Sequence, residues 1–144
     1  MLNFDIKIKD DILKKLEKKE KKVLTVGFFD EKYPNGTRIG KVATANEYGV
    51  PEHNVPPRPF MRDTVITRKP KWLKIVSEVI SENLDVVRTL SILGDIIAND
   101  VSEMITAYTI PANKPSTIAR KGFNDPLVDT GLMRDSVGWK VGNE

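Results

Sequence analysis

Asp85-Val86-Val87-Arg88-Thr89-Leu90-Ser91-Ile92-Leu93-Gly94-Asp95-Ile96-Ile97-Ala98-Asn99-Asp100-Val101-Ser102-Glu103-Met104-Ile105 is the stretch on which the fold turns. Val86, Val87, Leu90, Leu93, Ile96, Ile97, Val101, Met104 and Ile105 recur every three or four positions, the spacing that lines one face of an α-helix, for about five turns. The pattern runs through Gly94, although a glycine costs a helix interior about 1 kcal/mol relative to alanine. Pro111 closes the run, because proline cannot continue a helix. A long amphipathic helix needs something to lie on, so its flanks decide the architecture.

Upstream, Trp72, Leu73, Val76, Val79 and Ile80 share one face of a second helix. Pro70 is expected at its first turn, where a missing N–H costs nothing, with Phe60, Met61, Val65 and Ile66 in a separate short helix before it. Val23 to Phe29 is rich in β-branched and aromatic residues and reads as a strand. Pro34-Asn35-Gly36 is a turn signal, since Asn35 or Gly36 can take positive φ. Arg38 to Tyr48 reads as a second strand, or a strand running into a helical turn, that would complete a hairpin. At the start, Phe4, Ile6 and Ile8 alternate with polar residues as in a short strand. Asp10 or Asp11 then offers an N-cap for a helix carrying Ile12, Leu13 and Leu16 towards Lys22.

Downstream, Pro115 to Lys121 fits one or two helical turns closed by Gly122 in the left-handed conformation. Met133, Ser136, Val137, Trp139 and Val141 suggest a final strand. Two segments break the periodicity: 50–59, with four prolines and expected to be extended and without helix, and 109–131. The expectation is a single α+β domain over 1–144, a small antiparallel sheet packed against two or three helices with two long Pro-containing loops or arms.

Composition sets the outer limits. The chain has 144 residues, a formal charge of +3 and no cysteine, so it offers no disulfide, thiolate metal site or cysteine nucleophile. No apolar run approaches the ~18 residues of a membrane span, and Met1-Leu2-Asn3-Phe4-Asp5 lacks the pattern of a signal peptide. The basic isoelectric point, about 9.1, has a local origin. Residues 1–22 hold eight lysines and five acids, so the rest of the chain is electroneutral.

Residue chemistry yields few candidates for catalysis. Asp129-Thr130-Gly131 after Leu127-Val128 is the tripeptide of aspartic proteases, but that chemistry needs two such aspartates sharing a proton. The simpler reading is a turn closed by Gly131, with Asp129 accepting backbone hydrogen bonds. His53 is the only histidine and sits in the proline-rich loop, where exposure is expected. No phosphate-binding glycine loop is present. No cofactor and no metal site are expected, and the chain does not read as an enzyme. The lysine-rich N-terminal helix is a candidate nucleic-acid contact, against which stand its interspersed acids and its lack of arginine; a solvated face is the simpler account. Arg58, Arg62 and Arg68 around Phe60 form a second candidate patch, the composition of a protein–protein anchor. The alternative is that Phe60 plugs the core at a helix start.

Three stretches remain: Ala45-Asn46-Glu47-Tyr48-Gly49, then Val55-Pro56-Pro57-Arg58-Pro59-Phe60-Met61-Arg62, and then Pro115 to Gly122 with Pro126 to Val137. Taken together, they resemble the virion-morphogenesis, neck or tail-completion proteins of tailed bacteriophages. Their order and spacing around the long helix look like this family across most of residues 23–141. The resemblance implies a structural virion protein, assembled in the bacterial host cytoplasm, that forms a closed ring of commonly six or twelve copies at the head–tail junction. Its implied partners are itself, the neighbouring neck, connector or tail-tube proteins, and DNA passing through the lumen without sequence specificity, with no membrane. On this view Arg58, Phe60, Arg62, Arg120 and Arg134 contact neighbouring subunits or partners. Gly49, Pro57, Gly122 and Gly131 serve backbone geometry.

Overall fold

The computed structural model describes residues 14–82 and 84–144. The expected strand over Phe4–Ile8 lies outside them, as does the expected helix start at Asp10 or Asp11. Within the described residues, 14–16 are helical and the chain turns immediately afterwards. The helix therefore stops well short of Lys22, which already belongs to the first strand.

That strand, β1 (Lys22–Gly27), pairs with β2 (Gly138–Asn143) in an antiparallel two-stranded ribbon. The register runs from Lys22↔Asn143 to Gly27↔Gly138. Between the strands lie the helices α1 (Ile39–Tyr48), α2 (Phe60–Glu82), α3 (Val86–Ala107), α4 (Pro115–Lys121) and α5 (Leu132–Asp135). The result is a small α+β fold whose ribbon lies on α3, while α2 packs along the other side of that helix.

Helix α3 is the element the periodicity predicts. Asp85 caps it, its carboxylate accepting the Arg88 amide at 3.0 Å, which satisfies a donor that a helix start leaves without an internal partner. Gly94 has a packing reason. A Cβ there would stand 2.4 Å from Cδ2 of Trp139, so the missing side chain lets the indole of β2 lie against the helix backbone. Trp139 Nε1 donates to Asp95 at 2.7 Å. The core gathers Ile39, Ala43, Phe60, Trp72, Ile97, Val101, Ile105, Leu127 and Met133.

Four elements differ from the sequence expectation. The final strand holds only Trp139 and Val141 of the residues expected in it: Met133 lies in α5, and Ser136 and Val137 precede β2. Residues 39–48 form a helix and not the second strand of a hairpin; β1 takes its partner from the C-terminal end instead. Ile39, Ala43 and Glu47 are its buried positions, an i, i+4, i+8 stripe; a strand would put Lys41 on the same face, and Lys41 is exposed. Pro70 does not start a helix but sits inside α2, which is continuous over 23 residues. Pro70 and Ile66, the residue whose carbonyl loses its partner, are both exposed, so water can satisfy that carbonyl. The loop after Gly49 is not wholly extended. Pro51–His53 makes one 3₁₀ turn, ended by Asn54 at φ 52° and closed by a Val50↔Val55 bridge. The Asn35-Gly36 turn is as expected: Gly36 has φ 83° and the Asn35 side chain accepts the Thr37 amide at 3.0 Å.

Between α2 and α3 a buried polar junction sets the helix pairing. Asp100, 2% exposed, accepts from Trp72 Nε1 at 2.7 Å and from Lys71 Nζ at 2.9 Å. A carboxylate so buried is tolerable only when paired and hydrogen-bonded.

Candidate functional site

The loop between α1 and α2 is built by its neighbours. At the end of α1 the Glu47 carboxylate, 8% exposed, accepts the amides of Met61 and Arg62 at 2.9 and 3.2 Å. It thus caps α2 from another element and places negative charge at a helix N-terminus, where the backbone dipoles favour it. Asn46 adds its carbonyl, which accepts the Arg58 amide at 2.6 Å. Gly49 ends α1 at φ 74°, and a Cβ there would meet the Pro57 nitrogen and the Val55 oxygen at 2.8 Å each. Only glycine allows the positive φ and this close passage of Pro57. The Asn46–Gly49 and Val55–Arg62 stretches are therefore two halves of one interlocked unit.

Arg58 extends the unit to the second loop. Its guanidinium donates to the carbonyls of Pro111 and Ala112 at 3.0 and 3.4 Å, and burial lowers its pKa. Next to it, Tyr108 Oη donates to Asp63 at 2.9 Å, joining the end of α3 to the first turn of α2. Burial foremost, then the bond to Asp63, pushes the Tyr108 hydroxyl up to about 12.

Residues 109–131 are an arm fixed at both ends. α4 ends, as expected, on Gly122 at φ 84°, whose amide reaches Ile118 O at 2.7 Å. Lys121 folds back to donate to the carbonyls of Asp125 and Val128, and burial lowers its pKa. Leu127, 6% exposed, plugs into the core. Gly131, at φ 82°, turns the chain into α5, and a Cβ there would stand 2.8 Å from Nη2 of Arg134. The Asp129 carboxylate faces Arg120 at 3.7 Å instead of collecting backbone amides. A cleft of about 380 Å³ separates this turn from Tyr33, Asn35 and Thr37.

The five arginine and aromatic residues expected at contacts thus fall into two groups. Arg58 and Phe60 turn inward, at 6% and 0% exposure; Phe60 is a core residue at a helix start, meeting Phe28 edge-on at 6.3 Å. Arg62 is exposed, its guanidinium 5.9 Å from the Tyr48 ring centroid. Arg120 lies at the surface opposite Asp129, and Arg134 is held by its neighbour Asp135 at 2.6 Å. Arg68 sits 3.8 Å from Glu103, so Arg58, Arg62 and Arg68 do not form one patch.

Sequence reasoning gives no contact role to the exposed apolar side chains, of which Tyr48 alone lies within one of the three quoted stretches. Tyr48, Ile66 and Ile110 are 67%, 66% and 78% exposed, and Phe123 is also exposed. Ile66 follows Arg62 by one helical turn, so it shares a face of α2 with the arginine that covers Tyr48. The signal lay in the conflict between the apolar character of Ile66 and its place opposite the buried stripe Phe60, Thr64, Trp72, Val76 and Ile80. Lys14, Lys15 and Lys18 are exposed beside Glu17. His53 is exposed, as expected. Among the described residues no group of three or more His, Asp or Glu side chains is placed to hold a metal ion, and no helix is long and apolar enough to cross a membrane.

No family model, no curated protein and no solved structure matches this chain.

Proposed function

We propose that this chain is a structural subunit of the head–tail junction of a tailed bacteriophage, a neck or tail-completion protein whose copies close into a ring and join heads to tails. The observation that carries the reading is the interlock just described. Glu47 caps α2, Asn46 holds Arg58, and Arg58 holds the root of the arm, so separate motifs of the resemblance meet in one rigid node. Such a node presents two loops at fixed positions, which suits a building block whose contacts must repeat identically in each copy.

The contact roles divide by exposure. Arg58 and Phe60 act inside the subunit, as positioning residues for the loops. Tyr48, Arg62 and Ile66 on one side, with Ile110 and Phe123 on the arm, supply the partner-facing surface: large side chains of this kind, ringed by polar residues, are the usual anchors of an interface. Arg120 and Arg134 lie at the margin of that surface. A closed ring satisfies such patches without open-ended growth. The test is native mass spectrometry and negative-stain imaging of the purified protein, alone and with tail tubes. Rings of defined copy number, alone or on the tube end, are expected; free monomer under both conditions contradicts the reading.

A second reading has one observation in its favour, the exposed lysines Lys14, Lys15 and Lys18. They suit the phosphates of a duplex, a contact that must weaken steeply between low and moderate salt. Retardation of duplex DNA across that salt range tests it.

A further inference from the structure

The turn before α1 holds a reactive pair. Of the chain's nine asparagines, only Asn35 is followed by glycine. Both residues are exposed, and a Cβ on Gly36 would meet nothing within 4 Å, so solvent reaches the Gly36 nitrogen from an open side. The Asn35 carboxamide folds back along the chain, its Oδ1 accepting the Thr37 amide at 3.0 Å. That closure spans Gly36 and keeps Cγ on the side of the Gly36 nitrogen, an intramolecular approach that lowers the entropy cost of bringing the two together. The Thr37 N–H also favours negative charge gathering on Oδ1, as an oxyanion site does. Lys32 and Arg38 are paired across the base of the turn. Like charges opposite one another are unfavourable, and an acid in the turn between them relieves the conflict.

We propose that Asn35 is a site of spontaneous amide-to-acid conversion, with the Gly36 nitrogen as nucleophile and water as the only co-reactant. Gly36 N gives its proton to solvent and bonds to Asn35 Cγ. The Cγ–Nδ2 bond then breaks, and Nδ2 leaves as ammonia with a proton from solvent. Water opens the cyclic imide that remains at either of its carbonyls. Opening at Cγ leaves aspartate; opening at the backbone carbon leaves isoaspartate, in which the chain runs through Cβ and Cγ. The net change consumes one water, turns a carboxamide into a carboxylate and releases ammonium, with no change of oxidation state. The Gly36 N–H is held by Tyr33 O at 2.9 Å, so the turn must open before the step occurs. The product falls on the cleft whose lining includes Asp129. A second carboxylate joins that wall, and the formal charge drops by one from +3. Isoaspartate also lengthens the backbone inside the loop that the Tyr33 amide closes on Thr37 O. The proposal rests on this turn and not on the head–tail reading, and either can fail alone.

Incubation of the full chain in mildly alkaline buffer, followed by ion-exchange separation and peptide mapping, tests it. An acidic species is expected, with the change at Asn35, ammonia released in equal amount, and both aspartate and isoaspartate present at that position. The other asparagines should convert at least about tenfold more slowly. Asn35→Gln makes the ring closure one carbon longer and should slow the appearance of the acidic species at least about tenfold, with the unfolding transition showing that the variant folds. The wild-type mapping does not depend on that variant. Retention of the Asn35 amide over an incubation in which a free peptide of residues 31–38 converts fully overturns the proposal. So does aspartate without isoaspartate, because direct hydrolysis by water bypasses Gly36, and so does an Asn35→Gln variant that acidifies at the wild-type rate.

Discussion

The Glu47 carboxylate accepts the Met61 amide at 2.9 Å, so the last turn of α1 provides the N-terminal cap of α2. One side chain thereby fixes the angle between two helices and the path of the proline-rich loop joining them. Because Arg62 N binds the same carboxylate, two helix-start donors depend on it.

Replacing Glu47 by Ala is expected to cost about 1–2 kcal/mol in urea unfolding, since it leaves those two partly buried amides without their acceptor. Glu47→Gln keeps one acceptor oxygen in place and should lose less. Equal losses in the two variants would mean that the cap contributes little.

Arg58→Ala should cost about 2 kcal/mol, because the carbonyls of Pro111 and Ala112 lose a charged donor in a buried site. It should also speed proteolytic cleavage within residues 109–131, a region otherwise pinned by Arg58 and Leu127. Limited proteolysis followed by mass analysis of the fragments reads this directly. Cleavage at unchanged rate and sites would remove Arg58 from its positioning role.

Gly94→Ala is expected to destabilise by about 1–3 kcal/mol although alanine is the better helix former, since the new methyl meets the Trp139 ring and forces either the indole or the helix to move. The Trp139 emission should shift with it. A more stable variant would contradict the packing described for β2.

Tyr108 gives the protein an alkaline limit. Its hydroxyl is neutral to about pH 12 in the folded chain, against 10.0 for the free group. A raised acid pKa means that folding binds a proton more tightly. The stabilisation is therefore complete below pH 10 and disappears as pH rises towards about 12. Tyr108→Phe should flatten the fall in stability over that window, at the cost of the Asp63 hydrogen bond at lower pH. Denaturant unfolding at a series of alkaline pH values checks both.

Much of the architecture could be read from local pattern, and most of the site could not. The periodicity over 85–105 identifies α3, and the Gly122 cap identifies the end of α4, because each depends on residues a few positions apart. The helix over 39–48 is hidden because Ile39, Val42 and Ala43 fit both a loose strand and a helical stripe; burial of Ile39, Ala43 and Glu47 with Lys41 exposed between them decides for the helix. Pro70 looked like a boundary because the rule against interior proline assumes a buried carbonyl partner, and the one at Ile66 lies on an exposed face. Arg58 looked like a surface anchor because the carbonyls that bury it lie more than fifty positions away in sequence. The same distance effect makes Phe60 a core residue. The contact test therefore moves outward. Phe60→Ala would cost about 3–5 kcal/mol by cavity formation alone, so the informative substitutions are Arg62→Ala, Ile66→Ser and Ile110→Ser, which leave the core intact.

The most direct measurement is reconstitution of head–tail joining. On the proposed head–tail reading, an amber mutation in a phage gene encoding this chain is expected to yield DNA-filled heads and separate tails in the same lysate. Purified wild-type protein added to them should restore joined, infectious particles, while the Arg62→Ala, Ile66→Ser, Ile110→Ser variant, folded as judged by its unfolding transition, should restore few. Joined particles at normal yield in the absence of the protein would contradict the account.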